Sequence, residues 1–274
     1  MIIDAHQHFW KYHPVKDAWI DASMEVIRKD FLPKDLWPIL KNNGVDGCIA
    51  VQADQSETET EFLLDCAKQN AFIKGVVGWI DLLNKDVENR LAHYSINKTF
   101  KGVRHIVQAE PEDFVLQKAF QNGISKLTQF GLTYDILVFP HHLKNVIKMV
   151  RKFPDQQFIL DHIGKPNIKD GKLKNWEKDI RALSQFKNVA CKVSGMVTEG
   201  KWKKWKASDF DKYLDVIFDS FGVNRLMYGS DWPVCLLSAS YKQQLNIIQD
   251  YTNTFTEGDK NKVMGLNAIQ IYNL

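Results

Sequence analysis

Eight short apolar runs rich in β-branched residues recur along the chain, each followed by a stretch of helical periodicity. The runs are "MIIDAH" (1–6), "VDGCIAVQ" (45–52), "IKGVVGWI" (73–80), "FKGVRHIV" (100–107), "TYDILVF" (133–139), "QFILDH" (157–162), "NVACKVS" (188–194) and "RLMYGS" (225–230). Between them lie segments such as "SETETEFLLDCAKQN" (56–70), "HHLKNVIKMVRKF" (141–153), "WEKDIRALSQF" (176–186) and "FDKYLDVIFDSF" (210–221), with apolar residues at helical spacing. Ser56 stands where it can cap the first of these, whose acidic residues come early and whose Lys68 comes late. Strand–helix alternation implies parallel strands joined by right-handed crossovers. Eight such units in 274 residues predict an α/β fold, a single (β/α)8 TIM barrel spanning 1–274. An open doubly wound sheet is the alternative, but it usually carries a glycine-rich phosphate turn after its first strand, and here that turn reads "HQHFW".

Composition narrows the function classes. The formal net charge of +3 is too small to argue for nucleic acid or an anionic membrane as partner. No run approaches 18 apolar residues, so no membrane span is expected. The start lacks a basic n-region, and Asp4, His6 and His8 interrupt any apolar segment, so no signal peptide is expected and a cytoplasmic location is. Cys48, Cys66, Cys191 and Cys235 are scattered without Cys-x-x-Cys spacing, which predicts reduced, buried thiols. A homo-oligomer is compatible with the sequence, which does not specify one.

His6 and His8 form a His-x-His pair, a weak motif alone: 8 histidines in 274 residues give roughly 0.2 such pairs by chance. Position gives it weight. Both end the first strand, at the C-terminal face where barrel enzymes build their sites. Residues i and i+2 of a strand point the same way, so both rings can face the mouth and share one divalent ion. His162 ends the sixth strand in "ILDHIGKP", where it either reaches the mouth or shapes the Gly164–Pro166 turn. Asp231 ends the eighth in "YGSDWP"; such an aspartate can cap the next helix, but Pro233 and "VCLL" delay that helix. Strands 1 and 8 are neighbours in a closed barrel, so Asp231 can face the pair. Three imidazoles and one carboxylate at one rim suit metal-assisted hydrolysis. The carboxylate can ligate the ion, take a proton from water, or both; His162 can complete the metal shell or polarise a substrate carbonyl.

"DAHQHFW", "ILDHIGKP", "CKVSGMVTE" and "LMYGSDWPV", in this order, resemble the amidohydrolase superfamily, and within it the sugar-lactonase branch of the L-fuconolactonase and L-rhamnonolactonase type. The likeness runs nearly end to end. It implies hydrolysis of a small-molecule sugar lactone to an aldonic acid, with His6, His8 and His162 matching the motif histidines and Asp231 the strand-8 aspartate. One departure stands out. Many superfamily members carry a strand-4 lysine that bridges two metals, whereas here strand 4 reads "KGVRHIV" with Lys101 near its start. At most one divalent cation is therefore expected, zinc first, held by His6, His8 and Asp231. Some members of this branch work without metal, so the resemblance does not by itself demand an ion. Decarboxylation on the same barrel and a non-catalytic ligand-binding barrel are the alternative readings.

Arg104 and His105 fall toward the end of strand 4, and an arginine there suits a carbonyl, a carboxylate or sugar hydroxyls, or else an ion pair with the scaffold. Lys192 lies inside strand 7, where a buried lysine needs a carboxylate; it is either structural or a donor to the lactone. Gln52 ends strand 2 and Asp81 follows strand 3; each can bind hydroxyls or finish a turn. Trp10, Tyr12 and Trp19 in the first loop, with Trp202 and Trp205 after strand 7, suit aromatic walls for a sugar-like ligand, or lids packed on one another. His141 and His142 are expected at the surface or at a helix start.

Overall fold

The computed structural model describes all 274 residues. Its eight strands are β1 (Ile3–Gln7), β2 (Gly47–Val51), β3 (Ile73–Gly78), β4 (Phe100–Ile106), β5 (Thr133–Leu137), β6 (Phe158–Leu160), β7 (Val189–Val193) and β8 (Leu226–Tyr228). They pair in sequence order, every ladder parallel, and curve into a nearly closed barrel. The predicted helices follow their strands. Ser56 caps the helix Glu57–Gln69 by accepting from the Glu59 amide, and helices Leu143–Lys152, Lys174–Leu183 and Ser208–Phe221 occupy the other three expected stretches. No helix is long and apolar enough to cross a membrane.

Strand alternation sorts the apolar residues into two layers. Ile3, Ala5, Ile49, Val51, Val77, Ile159, Ala190 and Met227 fill the barrel interior, joined by Ala268 and Tyr272. Those last two come from the C-terminal helix Asn267–Tyr272. A larger cluster packs between the strands and the surrounding helices. All four cysteines are free and buried.

The seam between β1 and β8 is the exception to regular pairing. No ladder joins the two strands; the chain beyond β8 runs alongside β1 instead. The Asp231 amide donates to the His6 carbonyl at 2.8 Å, and the His8 amide to the Trp232 carbonyl at 2.7 Å. Below them a side chain spans the gap: Asp4 accepts from the Ser230 amide at 2.9 Å, the His6 amide at 3.2 Å and the Tyr241 hydroxyl at 3.1 Å. A Cβ on Gly229 would come within 2.8 Å of the His6 Cβ, so this close approach requires glycine.

His142 takes the second of its two expected places, the helix start, and is buried there. The Phe139 amide donates to Nδ1 at 3.3 Å, and Nε2 lies 3.1 Å from the Glu110 carbonyl. A histidine with two backbone partners is cheap to bury.

Candidate active site

His6, His8, His162 and Asp231 meet at the mouth of the barrel. The Asp231 Oδ1 lies 3.3 Å from His8 Nε2, 3.9 Å from His6 Nε2 and 3.9 Å from His162 Nε2. All four residues are buried. The His6 ring is 4.9 Å from that of His8 and 4.4 Å from that of His162, centroid to centroid.

Two of these residues sit in costly backbone conformations. His162 has φ 52° and Asp231 φ 57°, in the left-handed region that non-glycine residues seldom adopt. Such positions cost of order 1–3 kcal/mol and persist only where the surroundings impose them. Asp231 does not cap a helix: its carboxylate faces the histidines, and the following helix Tyr241–Tyr251 is capped by Ser240. His162 opens no simple turn either. It belongs to a left-handed run through Lys165, and its Nδ1 is 2.9 Å from the Ser194 hydroxyl. Gly195, itself at φ 66°, leaves the room this ring needs, since a Cβ there would lie 2.7 Å from the His162 Cγ.

The hydrogen bonds decide where the lone pairs point. His8 Nδ1 is 2.8 Å from the Val51 carbonyl, which can only accept, so Nδ1 carries a proton. In a neutral imidazole Nε2 is then a lone pair aimed at the Asp231 Oδ1. Two acceptors cannot face each other at 3.3 Å unless a proton or a cation lies between them. The donor set fits one divalent ion: His6, His8 and Asp231 present ligand atoms within 4.8 Å of one another, and His162 stands beside them. Lys101 is at the far end of β4, donating to the Asn273 carbonyl, so no lysine from this strand reaches the rim.

Burial holds the His6 and His162 imidazoles well below their ordinary range, which keeps them neutral and able to ligate. Burial alone would raise Asp231, but His162, His8 and Lys165 outweigh it and leave the carboxyl below its usual value. Asp231 is thus an ionised acceptor beside the neutral His6 and His162 rings.

Beneath the rim lies a charged network that sequence reasoning saw only in part. Arg104 donates to Asp161 Oδ2 at 3.1 Å and to Gln52 Oε1 at 2.9 Å, with its Nη1 3.3 Å from His6 Nε2. Lys192 pairs with Asp135 and with Asp161 Oδ1 at 3.1 Å, and its Nζ is 3.1 Å from His6 Nδ1. Tyr272 donates to Asp135 at 2.8 Å from below. Burial raises Asp135 despite Lys192; Asp161, although as deeply buried, is pulled well below its usual value by Lys192, His6 and Arg104. Asp135 and Asp161 were missed. The signal was partial: Asp135 is a charged residue inside β5 and Asp161 directly follows β6, both answering Lys192 in β7.

A cleft of about 460 Å3 opens above His8, His162 and Asp231, with His6 buried beneath it. Arg104, Trp10, Trp19 and Trp202 line it together with Lys165 and Glu199. Gln52 and Lys192 do not; both are fully buried, Gln52 clamping Arg104 and Lys192 lying under His6. A direct contact of either with substrate is therefore corrected to a supporting place. His105 turns away to Glu110 and stacks on Phe114, Asp81 accepts from the Leu83 amide in a turn, and Trp205 packs on Phe210. Tyr12 faces Arg28.

A parallel barrel with three histidines and an ionised aspartate gathered at its C-terminal mouth is the plan of an activated-water hydrolase. The chain belongs to the amidohydrolase family, whose model matches residues 3–274. It is 37% identical to an L-fucono-1,5-lactonase of Burkholderia multivorans, covering 99% of this chain and 96% of that one. It is 32% identical to an L-fucono-1,5-lactonase of Burkholderia ambifaria, covering 99% and 95%. The crystal structure of an amidohydrolase from Burkholderia multivorans with bound zinc superposes with a TM-score of 0.96 at 36% identity, covering 100% of this chain and 99% of that one.

Proposed function

We propose that the protein opens a sugar-derived lactone of the L-fucono-1,5-lactone kind to the free aldonic acid. The observation that carries this is the ionised Asp231 faced by three imidazole Nε2 atoms at the floor of a cleft that is part aromatic and part charged. Near end-to-end similarity to two lactonases supports it. Asp231 takes a proton from a water positioned against the histidines, and the hydroxide oxygen adds to the lactone carbonyl carbon. Arg104 and His162 face the developing oxyanion. On collapse the bond from the carbonyl carbon to the ring oxygen breaks, and Asp231 returns its proton to that oxygen. The new carboxylic acid then ionises and releases one proton. A divalent ion held by His6, His8 and Asp231, zinc first, would lower the pKa of the attacking water toward ~7. Trp10, Trp19 and Trp202 offer flat apolar faces to the sugar ring.

A pH-indicator assay against a panel of aldonolactones, L-fucono-1,5-lactone included, tests the reading. Proton release matched by loss of the lactone carbonyl is expected for at least one member. Acid consumption with release of carbon dioxide from an aromatic acid would favour a decarboxylase. Saturable binding of lactones with no turnover, metal supplied or withheld, would leave a binding protein.

A further inference from the structure

The catalytic cleft shares a wall with a larger cavity. Lys165, Thr198, Glu199 and Trp202 line both, the cleft at about 460 Å3 and its neighbour at about 860 Å3. The wall is braced rather than loose. Lys165 Nζ meets Glu199 Oε1 at 2.7 Å, the Lys169 amide donates to the Glu199 carbonyl at 2.9 Å, and Trp202 Nε1 donates to the Thr198 carbonyl at 2.9 Å. Beyond it the second cavity is basic: Lys169, Lys201 and Lys204 line it with Lys165. Glu199 is the one carboxylate among the lining residues, and Lys165 already neutralises it. The whole chain carries only +3, so this concentration of cations is local.

The chemistry gives such a cavity a use. Lactone hydrolysis converts a neutral ligand into an anion. The new carboxylate forms beside Asp231, which is itself ionised and repels it. Uncompensated cations across the shared wall attract it, over a range of about 10 Å at 0.1 M salt. We propose that the second cavity is a carboxylate site for the sugar-acid product, which passes over the Lys165–Glu199 pair toward Lys169, Lys201 and Lys204, an assignment that rests on the lactonase reading. The substrate, being neutral, is indifferent to these lysines.

Lys169, Lys201 and Lys204 are exposed, so replacing all three by glutamine does not threaten the fold. Calorimetric titration with sodium L-fuconate compares the wild type with the triple variant, with L-fucitol as the uncharged control. The triple variant is expected to bind fuconate about tenfold more weakly, the scale of three exposed ion pairs acting together. Wild-type affinity for fuconate should fall between ~0.02 and ~0.3 M salt, and that dependence should flatten in the variant. kcat and KM for a neutral lactone should stay within about twofold of wild type. Unchanged fuconate binding in the variant overturns the site. So does an equal rise in KM for the neutral lactone, because the lysines would then hold the sugar rather than its carboxylate. A variant that loses KM only for an acid-bearing lactone such as D-glucaro-1,4-lactone, with fuconate binding intact, overturns the product assignment in favour of a charged substrate. The titration needs no turnover, so it reads the cavity even if no lactone in the panel is opened.

Discussion

The amide of Asp231 donates to the carbonyl of His6 at 2.8 Å, so the proposed base and a proposed metal ligand are joined through the backbone as well as across the site. Their spacing is set by the barrel closure itself. Asp231→Asn preserves that hydrogen bond and the side-chain shape while removing the basicity. We expect kcat to fall by about 10²-fold or more, the scale for loss of a general base, with circular dichroism unchanged. Near wild-type turnover in the folded variant would remove Asp231 from the mechanism.

Gly195 tests the placement of His162. An alanine Cβ would come 2.7 Å from both Cγ and Nδ1 of that ring, at a φ of 66° that alanine disfavours. Gly195→Ala should lower kcat by displacing the imidazole while leaving KM within a few-fold. Steady-state kinetics on the folded variant would show an unchanged kcat if His162 played no part in the chemistry.

The metal content follows from Lys101 standing at the wrong end of β4. Elemental analysis of purified protein should find at most about one equivalent of zinc, as in mononuclear catalytic sites. His8→Gln should lower that content. Two equivalents bound at this rim would contradict the structure's donor set.

Lys192 serves two buried carboxylates, Asp135 and Asp161. Lys192→Met removes the only ammonium and leaves both behind. Removing one partner of a buried pair costs roughly 3–5 kcal/mol, which chemical denaturation would resolve. Adding Asp135→Asn should recover part of the loss. A single variant as stable as wild type would mean the network is dispensable.

Asp4 supplies the pH dependence. Burial raises its carboxyl from 3.8 to about 6, against the hydrogen bonds from Ser230, His6 and Tyr241. Between those two values the folded chain holds a proton that the unfolded chain has lost, so stability falls as pH rises through the window. Asp4→Asn lacks this slope. Its stability relative to wild type should therefore climb between pH 3.8 and about 6, by up to ~3 kcal/mol, and then level off. Parallel melting curves in the presence of chelator check this; a difference independent of pH would refute the shift.

The eight strands were legible because each is a short apolar run between helical segments, a pattern that local sequence carries in full. The rim residues were legible for a related reason: strand ends in a barrel share one face, so His6, His8, His162 and Asp231 can be collected without knowing any contact. The supporting network was not. Asp135 and Lys192 are 57 positions apart, as are Arg104 and Asp161, and nothing local marks them as partners. Gln52, ending strand 2, and Lys192, inside strand 7, were each open to a substrate or a supporting role; only the packing shows Arg104 lying over the one and His6 over the other. The helix start was one of the two places expected of His142, but its burial was not legible, since the backbone groups around it come from Phe139 and the distant Glu110.

The unladdered seam ties two events together. With β1 through β8 paired in order, every ladder can form while the ends of the sheet are still apart. The final contacts are the Asp231–His6 and His8–Trp232 backbone bonds and the Asp4 carboxylate on Ser230, all within the proposed catalytic residues or beside them. A chain with every strand docked but the ring still open would have native secondary structure and no assembled site. In refolding, returning catalytic activity would then act as a clock for ring closure, trailing the far-ultraviolet signal by however long the sheet takes to find its own other edge.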